Sequence, residues 1–341
     1  MTSRERVRRC LRFESPDRAP RDLWALPAVP MFLPEAFSEV NRRYPGDLGG
    51  AGGTCPPAER QSGEAFRKGT WVDEWGCVWS AAEDGVAGEV TEPPLADYSA
   101  LDTYQPPWEL LDGLDLSAVN GNCAQSDLYI RAACCPRPFE RMQFLRGSEA
   151  LFYDLGYDLP EVYKLRDMVH DYYVRELELW AKTDVDALSF MDDWGTQTAL
   201  LISPAQWREF FKPLYKDYCD IAHSHGKDIF FHSDGFIQAI YPDLIEIGVD
   251  AVNSQLFCMD IERLAADFKG KITFWGEIDR QFVLPFGSVE DVEQAVWRVR
   301  RALDDGTGGV IAQCEWGKEN PRENIEAVFE TWDRPLSERP G

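Results

Sequence analysis

From residue 128 onward, short apolar runs alternate with longer amphipathic ones. The runs 128–134, 186–191, 227–231, 251–254, 272–275 and 310–313 are brief and carry β-branched or aromatic residues, which predicts strands. The stretches between them repeat with helical spacing. Over 159–182, Val162, Leu165, Met168, Tyr172, Leu177 and Trp180 recur near that period. Over 288–303, Val289, Val292, Val296, Val299 and Leu303 make one stripe. Further helices are predicted at 138–145, 148–155, 203–224, 237–247, 260–268 and 321–332. Ser203-Pro204-Ala205-Gln206 reads as a capping box with proline at the first helical position, and Asn320-Pro321-Arg322-Glu323 repeats the device.

The first part of the chain is less regular. A helix is predicted over 4–13, closed by Ser15-Pro16-Asp17-Arg18-Ala19-Pro20, and a strand over 22–26. Residues 46–57 are rich in glycine and proline and read as loop. The aromatic-laden stretch 71–79 reads as a strand or hairpin, and 82–127 is loop-rich and acidic. Strands alternating with helices mean parallel βαβ units. Six strands from 128 on, one at 22–26 and one in 70–80 give the eight of a closed α/β (β/α)8 TIM barrel. We expect one domain over 1–341, with an irregular insertion at about 30–127. An open doubly wound sheet fits less well. No GxGxxG follows the first strand, and polar residues end strands throughout the second half.

Those strand ends carry the candidate chemistry. The run 227–231 stops on His232-Ser233-Asp234-Gly235, which points a histidine and an aspartate off one strand end for a metal or a proton transfer. The run 186–191 stops on Asp192-Asp193, adjacent acids that must point to opposite sides. The run 272–275 leads to Glu277, and 310–313 to Cys314. Zinc favours imidazole and thiolate and takes three protein ligands in a catalytic site. His232, Asp234 and Cys314 would supply them, with Glu277 as a possible fourth. The alternative is a metal-free site in which Cys314 is a core thiol. Asp192, Asp193 and Glu277 are the acid/base candidates, and the Gln255 amide is placed to hold a substrate. Trp24, Trp194, Trp275 and Trp316 sit at predicted strand ends, as core or as the wall of an apolar pocket. The other histidines, His170, His223 and His225, lie on helices and read as structural.

Charge narrows the partners. The formal net charge is −24, and no basic stripe is visible, which excludes nucleic acid as the main partner and disfavours a strongly anionic substrate. The nine cysteines are odd in number and lack a framework spacing, which predicts reduced thiols and a cytoplasmic setting. No long apolar run predicts a membrane span.

The order of several short motifs resembles the uroporphyrinogen decarboxylase superfamily, which includes the decarboxylase and corrinoid-dependent methyltransferases. The motifs are Arg4-Glu5-Arg6-Val7 through Pro16-Asp17-Arg18-Ala19-Pro20, Asp192-Asp193-Trp194-Gly195, Ser203-Pro204 and Lys212-Pro213. They continue with His232-Ser233-Asp234-Gly235, Gly248-Val249-Asp250-Ala251, Gly276-Glu277-Ile278-Asp279 and Pro321-Arg322-Glu323-Asn324. The resemblance implies a single (β/α)8 barrel. The decarboxylase carries F-M-R-Q-A-G-R after its first strand, where this chain reads Leu23-Trp24-Ala25-Leu26-Pro27-Ala28-Val29 without arginine. Uroporphyrinogen is therefore not the expected substrate. The methyltransferase branch binds zinc with His-x-Cys and a later cysteine. His232 and Cys314 match, while Asp234 replaces the middle cysteine. The resemblance implies a zinc-dependent methyltransferase that moves a methyl group from a small methylated donor, an O-methyl compound, to cobalamin on a separate corrinoid protein. This chain lacks the D-x-H-x-x-G pattern that would supply a cobalt ligand. The alternatives are a decarboxylase-like lyase acting on a small carboxylic acid, with Arg131 or Arg280 as anchor, and methyl transfer to a thiol.

Overall fold

The computed structural model of the chain describes residues 1–338. Eight strands form the central sheet: β1 (Arg21–Ala25), β2 (Leu48–Ala51), β3 (Tyr129–Ala132), β4 (Ala187–Met191), β5 (Asp228–Ser233), β6 (Ala251–Ser254), β7 (Thr273–Trp275) and β8 (Val310–Trp316). Neighbours along β1-β8-β7-β6-β5-β4-β3-β2 are all parallel. The remaining seam, β1 to β2, is bridged at its start. The Asp47 N–H donates to the Arg21 carbonyl (2.8 Å), and the Arg21 N–H donates to the Asp47 carboxylate (2.7 Å). The sheet is thus a nearly closed α/β barrel with helices between its strands, as the alternation predicted.

Side-chain alternation divides the strands into two faces. Tyr129, Ala187, Phe230, Ala251, Trp275 and Ile311 pack together inside the barrel. Leu188, Phe190, Ile229, Phe231, Val252, Phe274, Val310, Ala312, Cys314 and Trp316 belong to the larger cluster outside it, under the helices. The helix Ser3–Leu11 closes the N-terminal end, with Val7, Cys10 and Leu11 packed on the inner cluster. Its flanks are tied to strand starts by charge. Arg4 and Arg8 reach Asp186 (3.0 and 2.7 Å), Arg6 reaches Asp47 (2.6 Å) and Arg12 reaches Asp228 (2.6 Å).

The structure corrects the reading of the first half. The second barrel strand is Leu48-Gly49-Gly50-Ala51, within the stretch read as loop. Its glycines hide it from hydropathy but suit the close packing. A Cβ on Gly49 would stand 3.0 Å from a Leu128 side-chain carbon and 3.1 Å from one of Ile130. The aromatic stretch instead belongs to a separate antiparallel sheet of Gly69–Val72, Val78–Ala81 and Glu89–Glu92, where Trp71 stacks on Trp79. The predicted helix 203–224 is two, Pro204–Phe210 and Lys212–Ser224, because Pro213 has no N–H to continue the ladder. Among the described residues no helix is long and apolar enough to cross a membrane.

Candidate active site

The inner face of β4 continues to Asp193, and that of β5 to His232 and Asp234. One donor atom from each of these three lies within 4.8 Å of the others. His232 Nε2 is 3.6 Å from Asp193 Oδ1 and 3.6 Å from Asp234 Oδ1. Asp234 N–H donates to Asp193 Oδ1 at 3.0 Å, which fixes one carboxylate against the other's backbone.

The histidine tautomer follows from its other neighbour. Asn253, on the inner face of β6, donates its Nδ2 to the Trp275 carbonyl. Its Oδ1 therefore faces His232 Nδ1, at 2.6 Å. Nδ1 must carry a hydrogen, and Nε2 looks at two carboxylates. That arrangement calls for positive charge among the three. Asp234 Oδ1 is also buried without a hydrogen-bond partner. One imidazole nitrogen and two carboxylate oxygens are a donor set that zinc accepts, so these residues fit a metal ion.

A ring of charge surrounds the triad. Glu277, 2 % exposed, follows β7, and its Oε1 has no hydrogen-bond partner. Burial pushes its carboxyl well above the usual range. Arg280 opposes the shift, and Asp234, Glu315 and Asp193 add to it. Arg280 donates one Nη to Asp234 Oδ2 and the other to Glu315 Oε1, with its Nε 3.8 Å from Glu277. Burial, then Asp234, also raises the Asp193 carboxyl. Glu140, on the helix Pro138–Arg146, is pushed up to about 7 by burial and then by Asp193.

Aromatic rings form one wall. The Trp24 ring is 5.1 Å from that of His232 and 4.9 Å from that of Trp275. Both indole N–H groups donate to Asp22 Oδ2, at 2.9 and 2.8 Å. Beside the triad lies a small cleft lined by Gln197, Gln255, Phe257, Cys258, Glu277 and Phe282 among others.

Not every expected residue reaches this site. Cys314 points outward into the core between β8 and its helices, and burial raises its thiol. The reason is strand length. β8 runs on to Trp316, so Cys314 is not at its end, and the pleat gives the inner face to Gln313 and Glu315. Cys314 is corrected from metal ligand to core thiol. Asp192 likewise points outward. It accepts hydrogen bonds from the N–H groups of Phe139 and Glu140 and from the Tyr215 hydroxyl, so it anchors a helix start rather than acting as an acid/base. Trp194 stacks on Phe139 at 4.0 Å and donates to Tyr215, and Trp316 donates to the Asn320 carbonyl. Both are core, not pocket wall. The remaining histidines make local contacts: His170 to Asp217, His223 to Asp250, and His225 to the Ile221 carbonyl. Asn253, Glu315 and Glu140 escaped the sequence reading. Asn253 had a signal, since it lies midway between Ala251 and Gln255 on one face of a single strand.

Comparison with known proteins fits this architecture. The family model described as uroporphyrinogen decarboxylase (URO-D) matches residues 138–334. A methyltransferase from Methanosarcina mazei superposes with a TM-score of 0.72 at 15% identity, covering 98% of this chain and 98% of that one. A glycosylated endo-beta-1,4-xylanase from Gloeophyllum trabeum gives 0.46 at 11% identity, over 94% and 98% of the two chains. No curated protein matches the sequence. With more than half of its length under that family model, the chain belongs to the uroporphyrinogen decarboxylase (URO-D) family.

Proposed function

We propose that the chain is a zinc-dependent methyltransferase. It would take the methyl group from a small O-methyl donor and deliver it to cobalamin on a separate corrinoid protein. One observation carries this reading: His232 Nε2 faces the carboxylates of Asp193 and Asp234, 3.6 Å from an oxygen of each, at the open end of the barrel. The fold held in common with the Methanosarcina mazei methyltransferase supports it.

Zinc held by Asp193, His232 and Asp234 would supply Lewis acidity toward the heteroatom of the donor. A set without thiolate donates less charge, which suits an oxygen donor. The chain's own residues do the rest. Asn253 holds the imidazole in the ligating tautomer. Arg280 holds Asp234 and Glu315 in place by one guanidinium. Glu277, whose carboxyl burial pushes up, is the proton source for the leaving oxygen. Trp24 and Trp275 exclude water on one side. The D-x-H-x-x-G pattern is absent from the sequence, so the corrinoid comes with a partner docking at the mouth. The lyase reading needs a free cation for a carboxylate, and Arg280 is already shared among three acids.

The test mixes purified protein, a reduced corrinoid protein and a panel of methoxylated donors, and follows the Co(I) absorbance beside elemental analysis. About one zinc per chain and donor-dependent loss of Co(I) are expected. Turnover without corrinoid, or full activity in metal-free protein, would overturn the reading.

A further inference from the structure

One cation inside the barrel has no counter-ion. Arg131 lies on the inner face of β3, the same face as Tyr129, and is half-buried. Arg6, Arg141, Arg280 and Arg300, at comparable or greater burial, each hold a carboxylate. Among the described residues Arg131 makes no hydrogen bond or ion pair, and its Nε is buried without a partner. Its guanidinium carbon stands 4.5 Å from the centroid of the Trp275 ring and 5.8 Å from that of Phe230. Attraction to ring faces offers no acceptor to the five N–H donors of the guanidinium. The carboxylate whose field reaches Arg131 is Asp22, and it accepts instead from the indoles of Trp24 and Trp275.

The surroundings put this cation beside the candidate chemistry. Arg131 touches the Trp275 ring, Trp275 touches Trp24, and Trp24 touches His232. β3 pairs Arg131 with Ala187 of β4, and the inner face of β4 continues through Ser189 to Asp193. Ser189 is buried, and its Oγ also lacks a partner. A planar guanidinium and a hydroxyl, both short of acceptors, are matched by a carboxylate, whose two oxygens fit the guanidinium fork. The acidic chain, with Asp22 close by, opposes a polyanion.

We propose that Arg131 anchors the carboxylate of a small monoanionic substrate, with Ser189 donating beside it, so that the methyl donor is a methoxylated carboxylic acid. Arg280 cannot take this part, since it is shared among three acids. The identity of the donor rests on the methyltransferase reading, whereas the anion anchor itself needs neither metal nor corrinoid. A free cation would serve a lyase equally, so the test also follows released carbon dioxide.

The test is calorimetric titration of the full chain, with zinc and after chelation, using methoxyacetate and its uncharged amide, methoxyacetamide, near pH 7. The carboxylate should bind saturably in both forms, about tenfold or more tighter than the amide, as hydrogen bonds to a charged group require. Arg131→Leu should weaken the carboxylate by about tenfold or more and leave the amide nearly unchanged. Arg131→Lys should restore part of the loss, because the charge returns without the planar fork. Far-UV dichroism of both variants should match that of the unaltered chain. Equal affinity for the two probes, no binding of either, or an equal loss of both in the two variants would overturn the proposal, the last being what a packing role predicts. Arg131-dependent binding by a chain that takes up no zinc and consumes no Co(I), or that releases carbon dioxide from the acid, would sink the proposed function and leave the anchor standing.

Discussion

Asp192 and Asp193 are neighbours in sequence and opposites in surroundings. Asp193 looks into the barrel mouth, at His232 and Asp234. Asp192 looks the other way, into a shell of Phe139, Tyr215 and a helix start. The same division runs around the sheet: Trp24 and Trp275 inside, Trp194 and Trp316 outside, Glu315 inside, Cys314 outside. On the inner face polar atoms gather without partners, whereas the outer-face groups are satisfied or apolar. The difference is one residue of register, and it separates residues that do chemistry from residues that hold helices to strands.

The sharpest test of that division is His232→Ala against Cys314→Ala. The first should weaken zinc binding by more than about a hundredfold, beyond what losing an outer-shell partner causes. The second should keep zinc and lower stability by about 1–2 kcal/mol, the range for trimming a small buried side chain. Metal analysis with urea unfolding reads both. Metal loss in Cys314→Ala would break the comparison.

The adjacent acids give the next contrast. Asp192→Ala strands two backbone N–H groups and the Tyr215 hydroxyl, so unfolding free energy should fall by about 3 kcal/mol. Asp193→Ala should leave stability within about 1 kcal/mol while zinc is lost. Asn253→Ala should weaken zinc about 10–100-fold without removing it. Unchanged affinity in that variant would mean the ring needs no second anchor.

A pH effect sharpens the inner face further. Glu140 titrates at about 7 in the folded chain, above its unfolded value. The folded state therefore binds the extra proton, and stability falls as pH rises from about 4.3 toward 7. The loss attributable to Glu140 should approach about 4 kcal/mol at most. Urea unfolding of chelated protein at pH 5 and pH 8 should show a smaller drop for Glu140→Gln than for the unaltered chain. An equal drop would remove Glu140 from the inner field.

The regular half of the fold was legible because its strands are apolar and its helices amphipathic. Ala251–Ser254 was placed without error, and Tyr129–Ala132, Ala187–Met191 and Thr273–Trp275 to within two residues at each end. β2 was not legible, since Leu-Gly-Gly-Ala carries no hydrophobic pattern and becomes a strand only by lying against Tyr129–Ala132. β8 was cut short because Cys-Glu-Trp interrupts the apolar run, although those residues pair with Leu23, Trp24 and Ala25. That shortening moved Cys314 to a strand end it does not occupy. His232, Asp234 and Glu277 were visible from their places after apolar runs. Asn253 was hidden because a partner is defined by what it faces across strands.

The helix Ser3–Leu11 has a consequence for the order of assembly. It is made before β4 and β5, yet its Arg4 and the adjoining Arg12 find Asp186 and Asp228 at sequence separations of 182 and 216 residues. Closing so long a loop costs little more free energy than closing a short one, since the penalty grows only logarithmically. Contacts this distant do, however, slow the search. Arg6 meets Asp47 from nearby sequence, but the contacts of Arg4, Arg8 and Arg12 form only after β4 and β5 have been synthesised.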